Sequence, residues 1–383
     1  MTLDVFAAVH REFFSYADFR YGWDMLCRRL PHARWHLAYT DDLPVWLREQ
    51  PERVADCDGE VILITAPHIL LSRNGLEGLR RTLHDHPDDI AIPMALAQAN
   101  LPFALDYSTV RGLDRALEQD QHRHLKPYLA AGDESKVCMM RSSTLQSLLA
   151  NQWSGALPAN TWVSPQAVAH DYSGYHDSDR AEVVPHLPHG VKRLLDIGGG
   201  CGSFAALAKR ELLCEAHVFE QHPAAAALAR QRVDRVWEGE FPGVLLSQMP
   251  QFDCVTALDV IEHIENTEAC LEAIAALLLP QGHLVASLPN LGHWSVVLDL
   301  LEGYWDYAPV GIASRSHLRF FTRSTICDLF AGQGWQVEDI AAISVPMPEN
   351  MRRSLVALGG AIPLQIDAGS LDTYQYIIRA RRP

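Results

Sequence analysis

Residues Leu194–Ala205 read LLDIGGGCGSFA, and this stretch decides the fold of the C-terminal half. An apolar strand runs into a turn with glycines at Gly198, Gly200 and Gly202, and a helix begins near Ser203. Glycine has no Cβ, so such a turn bends sharply and lets backbone approach a ligand closely. The helix start beyond it offers free N–H groups. A dinucleotide fingerprint needs G-x-G-x-x-G; counted from Gly198, its third glycine falls on Ser203. A nicotinamide-dependent oxidoreductase therefore fails on spacing. Here the pattern is G-x-G-x-G preceded by Asp196, whose carboxylate repels a pyrophosphate and suits a cationic amino-acid moiety. Glu220 follows at the tip of the next strand, where an acidic side chain accepts both hydroxyls of a ribose.

Outward from the turn, strands and helices alternate. The spacing predicts a helix over 177–187 and strands over 193–197, 215–219, 254–258, 283–288, 336–344 and 373–379. Helices are expected over 203–211, 223–231, 267–279 and 324–333. Strictly alternating elements predict a doubly wound, mainly parallel sheet whose last two strands pair as an antiparallel hairpin.

With these residues in place, the segment from Asp171 to Pro383 resembles a class I S-adenosylmethionine-dependent methyltransferase. Cys254–Thr267 (CVTALDVIEHIENT) resembles that family's fourth strand and its loop, and Leu278–Asn290 resembles its fifth strand. Gly303–Tyr307 and Gly311–Ile326 resemble a subgroup often found beside glycosyltransferases in bacterial surface-polysaccharide clusters. That subgroup carries Asp-Arg-Thr-His-Leu-Arg-Phe-Phe; here Ser314 stands for the Asp and Ser316 for the Thr.

The resemblance implies a Rossmann-like sheet of seven strands and S-adenosylmethionine as cofactor. It implies that Asp196 and Gly198 face the methionine part, that Gly200 and Gly202 also bind the cofactor, that Glu220 binds the ribose, and that Glu240 and Phe241 lie beside the adenine. Asp259 falls near the sulfonium. Tyr172, Tyr175 and Arg180 resemble an entry segment that closes over the cofactor, though the tyrosines fit simple packing equally well. The expected reaction is methyl transfer to an oxygen or nitrogen of a sugar or other small molecule. A base is needed only where the acceptor loses a proton. His293, in Pro289–Trp294, His263 and His317 are the candidates, though His317 is better read as holding its loop by a backbone hydrogen bond. Tyr304, Trp305 and Tyr307 either stack on the acceptor or plug a lid formed by Leu291–Thr322. The alternatives are a non-catalytic cofactor-binding partner and a bifunctional glycosyl- and methyltransferase.

The N-terminal third is less explicit. Glu60–His68 (EVILITAPH) reads as a buried strand, 70–85 as an amphipathic helix, 89–98 as a second strand, 104–135 as loop and helix, 137–141 as a strand and 142–151 as a helix. Residues 62–94 vaguely resemble a family 2 glycosyltransferase core. Where such enzymes carry a metal-binding acidic pair, this chain reads Ala66-Pro67-His68. The resemblance thus implies an accessory domain, over 1–150, serving as an acceptor-binding, docking or homodimerising surface; an unrelated α/β domain fits as well. Residues 151–170, rich in Pro, Ser, Asn and Trp, are expected to link the two domains.

Composition bounds the rest. With 383 residues, two domains are expected. Acidic residues outnumber basic ones, 47 to 32, for a net charge of −15, which disfavours nucleic acid as a partner. The first residues lack a signal-peptide pattern, no apolar run is long enough to span a membrane, and the eight cysteines form no CxxC pair. A reducing cytoplasm is the expected setting. The pairs His84/His86, His122/His124 and His186/His189 have no partner pair at zinc-like spacing, so no metal site is expected.

Overall fold

The computed structural model describes residues 2–9, 16–66, 68–95, 109, 111–112, 126–130, 135–361 and 367–382. The loop and helix expected over 104–135, Pro67 and the His122/His124 pair fall largely outside them. The chain divides into two compact units, Met1–Ser173 with Asp306–Val310, and Gly174–Trp305 with Gly311–Pro383.

The first unit is built on β1 (Leu3–Ala8), β2 (Ala33–Ala38), β3 (Glu60–Ile64), β4 (Ile69–Leu71), β5 (Ile90–Ala95), β6 (Tyr128–Leu129), β7 (Val137–Arg141) and β8 (Thr161–Asp171). Their order is β2-β1-β3-β7-β5-β8-β4, with β6 also paired to β8. β2, β1 and β3 are parallel, whereas β7 runs antiparallel to both β3 and β5. The expected βαβ pattern is thus interrupted: β7, a later strand, lies between β3 and β5. The helix after β3 also starts later than expected, at Gly75, because Ile69–Leu71 pairs with β8. Asp4 is fully buried in β1, where burial opposes its charge but Arg34 and His36 of β2 hold it ionised below the usual carboxylate range.

One expectation needs correction. Residues 161–171 are not linker but β8, an 11-residue strand between β5 and β4. Pro165 and the polar residues around it hid the strand; the β5–β8 register shifts beside Pro93, next to the position paired with Ser164, and a bulge there accommodates prolines.

The second unit holds β9 (Arg193–Ile197), β10 (Glu215–Glu220), β11 (Arg235–Glu238), β12 (Phe252–Leu258), β13 (Leu278–Pro289), β14 (Gln336–Ser344) and β15 (Thr373–Arg381). The sheet order is β11-β10-β9-β12-β13-β15-β14. The expected hairpin is present, with β15 inserted between β13 and β14 and antiparallel to both. Both faces of this sheet are covered, so the central strands are apolar at successive positions. Leu195, Ile197, Val255, Ala257, Leu284 and Ala286 join one core; Leu194, Cys254 and Val285 join another on the opposite face. The helix expected over 177–187 is replaced by two short 3-10 turns, Ser173–Asp177 and Ala181–His186, the second containing Pro185.

Candidate functional site

β9, β10 and β12 end side by side, and the residues singled out at their ends come together there. The turn after β9 takes left-handed backbone at Gly198 (φ 67°), Gly200 (φ 53°) and Gly202 (φ 80°). At Gly200 a Cβ would lie 2.4 Å from the carbonyl oxygen of His176, so only glycine fits without moving backbone. The same carbonyl accepts the Cys201 N–H at 3.0 Å, fastening the turn from above.

Glu220 is buried at the end of β10. Its Oε2 accepts the Gly200 N–H at 2.9 Å and its Oε1 the His222 N–H at 2.7 Å. A carboxylate has about four acceptor sites, so the group is fixed by backbone and keeps lone pairs for a pair of hydroxyls. Gly239 N–H donates to the Glu220 carbonyl at 3.0 Å, and beyond it Phe241 is buried edge-to-face on Phe219 while Glu240 is exposed.

Asp196 lies beneath the turn. Its Oδ1 accepts from Thr256 Oγ1 at 2.7 Å, and a Cβ on Gly199 would meet its Oδ2 at 2.7 Å. Burial pushes its pKa up to about 7, against the pull of Thr256 and Arg180.

At the end of β12, Asp259 adopts φ 55° and faces Arg180, itself at φ 45°. Non-glycine residues in this region are uncommon and concentrate at functional sites. Arg180 Nη1 donates to Asp259 Oδ2 at 2.6 Å, its Nε to Glu182 at 2.6 Å and its Nη2 to Gln375 at 2.9 Å. Ser287 Oγ donates to Asp259 Oδ1 at 3.0 Å, and Gln375 Nε2 donates to the same oxygen. Burial works against the Arg180 charge, but Asp259 and Glu182 outweigh it and raise its pKa. Ser287 and Gln375 carry no local sequence signal; pairing of β13 with β15 brings them here.

Four aromatic residues stand elsewhere. Tyr172 belongs to the first unit and packs in its core, edge-to-face on His68, with its backbone N–H on the His68 carbonyl at 2.9 Å. Tyr307 also falls in the first unit, where its carbonyl accepts from Tyr21 Oη at 3.1 Å. Tyr304 and Trp305 fall in the second, Tyr304 exposed and Trp305 edge-to-face on Phe320. The expected aromatic trio is therefore divided between units. Tyr175, by contrast, stays near the site: it lies edge-to-face beside His176, and burial with the Asp259 and Glu262 charges raises its pKa well above the ordinary range.

The histidines separate likewise. His293 caps the helix Trp294–Leu301: its Nδ1 accepts the Ser295 N–H at 3.4 Å, and its Nε2 donates to the Val345 carbonyl at 3.1 Å. Both nitrogens are committed and the ring is fully buried, so no lone pair is left for an acceptor's proton. Burial lowers its pKa to about 4. His263 and His317 meet edge-to-face at 4.7 Å, and Glu262 lies beside them. The Glu262 position was not singled out from sequence, because its neighbour His317 is distant along the chain.

Residues 168–340 match the model of a family described as a methyltransferase domain. A ubiquinone biosynthesis O-methyltransferase of Aeromonas salmonicida (strain A449) is 26% identical over 157 residues, covering 40% of this chain and 66% of that protein. Its counterpart in Alkalilimnicola ehrlichii is 27% identical over 154 residues, covering 37% and 60%. The chain thus spans 66% or less of the length of these relatives. Among solved structures, a SAM-dependent methyltransferase from Archaeoglobus fulgidus is 18% identical with a TM-score of 0.39, covering 54% of this chain and 94% of that one.

Proposed function

The C-terminal unit carries an S-adenosylmethionine-dependent methyltransferase domain, and from that premise we propose that the chain methylates a hydroxyl oxygen of a small-molecule acceptor. The observation that carries this reading is the Glu220 carboxylate, locked to Gly200 N–H at the mouth of the glycine turn. The residues fit the cofactor: a Cβ-free backbone cradle, and an acidic group aimed for vicinal hydroxyls at the next strand end. Bound S-adenosylmethionine supplies an activated methyl group on a sulfonium.

The chain's own residues align and dry the site. Glu220 holds the ribose, and the turn Gly198–Gly202 lies against the amino-acid part. Asp196 supports that turn from beneath. Phe241 flanks the adenine, with Glu240 at its exposed edge. The Arg180–Asp259 pair closes the end of β12 nearest the reacting carbon. Oxygen as the acceptor atom follows the relatives, which are named as O-methyltransferases. On the acceptor side lies a narrow cleft lined by Glu262, Pro289, Leu291, Ile312, His317 and Phe320, with Trp305 edge-to-face on Phe320 beside it. The first unit serves as an accessory surface presenting the acceptor: β3 leads into Thr65 and Ala66, where a glycosyltransferase would need acidic metal ligands.

Calorimetric titration with S-adenosylhomocysteine tests the cofactor site. Micromolar binding by the wild type and at least a tenfold loss in Glu220→Ala are expected; equal affinities would sink the assignment. Mass spectrometry of reactions with phenolic and saccharide hydroxyl acceptors reads the +14 product. A methylated amine as the sole product would overturn the choice of oxygen.

A further inference from the structure

Glu262 is the anomaly of the second unit. It is about 1% exposed, and neither carboxylate oxygen has a hydrogen-bond partner. Burying such a group without a partner is costly. Across from it, 4.0 Å from Glu262 Oε1, His317 Nε2 is also buried without a partner.

Both imidazoles place Nδ1 on a backbone carbonyl. His317 Nδ1 donates to the Ile312 carbonyl at 2.9 Å and His263 Nδ1 to the Ser316 carbonyl at 3.1 Å. A backbone carbonyl on Nδ1 fixes the tautomer with the Nε2 lone pair facing away, as in histidines that ligate metals. One ligand atom each from Glu262, His263 and His317 falls within 4.8 Å of the others. The Leu318 and Arg319 N–H groups both donate to the Glu262 carbonyl, at 2.8 and 3.0 Å, tying the two segments together.

We propose that Glu262, His263 and His317 bind one divalent transition-metal cation of the Zn2+ class, which holds the acceptor oxygen during methyl transfer. Two imidazoles and a carboxylate suit such ions, whose ligand atoms lie ~2.0–2.2 Å from the metal. The side chains close inward by up to about an ångström to reach that geometry, and an open position is left for a fourth ligand. A hydroxyl ligated there gives up its proton to solvent near neutral pH. Its oxygen lone pair then forms the O–CH3 bond as the sulfonium C–S bond breaks and S-adenosylhomocysteine leaves. The role in catalysis rests on the methyltransferase reading; the cation site does not.

The wild-type chain, stripped by chelator and reconstituted with Zn2+, is expected to retain one equivalent by plasma mass spectrometry. His263→Ala and His317→Ala are each expected to fall below about a tenth of an equivalent, with S-adenosylhomocysteine affinity changed less than twofold. That unchanged affinity separates loss of the cation from failure of the cofactor reading. A wild type that retains no metal after reconstitution, or histidine variants that retain a full equivalent, would overturn the proposal. Should a histidine variant not fold, Co2+ reconstitution of the wild type and of Glu262→Gln decides. Visible bands of a nitrogen–oxygen site that change in Glu262→Gln support it; unchanged bands, or a thiolate charge-transfer band, overturn it.

Discussion

Glu220 and Gly200 act as one unit at the scale of single residues. The carboxylate fixes the turn through the Gly200 N–H, and the turn fixes the carboxylate. Gly200→Ala forces a Cβ toward the His176 carbonyl at a left-handed position, so a destabilisation of ~1–3 kcal/mol and a tenfold or greater loss of S-adenosylhomocysteine affinity are expected; thermal melts and calorimetry read both. Asn290 offers a contrasting case. Buried, it donates to the Ser370 and Thr373 carbonyls at 2.8 Å each and accepts from Gly292 N–H at 3.0 Å. Asn290→Ala leaves two buried carbonyls short of a donor, and a loss of ~2–4 kcal/mol in urea unfolding is expected. The glycines, Asp196 and Glu220 were legible in sequence because a local turn and one strand–helix–strand step set their spacing. Glu262, His263 and His317 were not legible as a group: the last two stand 54 positions apart and only tertiary packing joins them.

Helices and strands set the next scale. His293 was read from sequence as a base because it follows the fifth strand of the methyltransferase pattern; its place as a helix cap depends on Val345, which sequence spacing does not reveal. A buried neutral histidine stabilises only while it stays neutral. Its folded pKa of about 4 lies below the ordinary 6.5, so between these values the unfolded chain binds more protons. Stability from this group is complete above about pH 6.5 and falls as the pH drops toward 4. The expected loss between pH 7.5 and 5 is about 2 kcal/mol, and a flatter pH profile in His293→Asn checks it, since Asn also caps helices well. Product formation per folded His293→Asn chain is expected to persist; its collapse would return His293 to the chemistry. β9 was readable from its apolar run, and β14, at the sheet edge, from its alternation. β11 escaped notice because RVWE is a short, charged edge strand, and β8 because its Pro and polar residues mimic a linker.

At the scale of the whole molecule, length predicted two units, and the second, expected from Asp171, begins at Gly174; the first was ended too early, at 150. A chain ending at residue 150 lacks β8, which pairs with β5, β4 and β6. It is expected to be insoluble or to lack a cooperative melt, whereas a chain ending at 173 is expected to keep strand-rich circular dichroism. Identical melts for the two fragments would contradict the sheet order.

The five residues Asp306–Val310 have a further consequence, in time. Ala308 is buried in the first unit's core with Tyr172. Although domains generally fold from the N-terminus as they are made, this one lacks part of its interior until residue 310 has been translated. By then β9 to β13, five of the seven strands of the second sheet, have already been synthesised. The first unit to begin folding on the ribosome therefore completes its interior only after most of the second sheet's strands have been made.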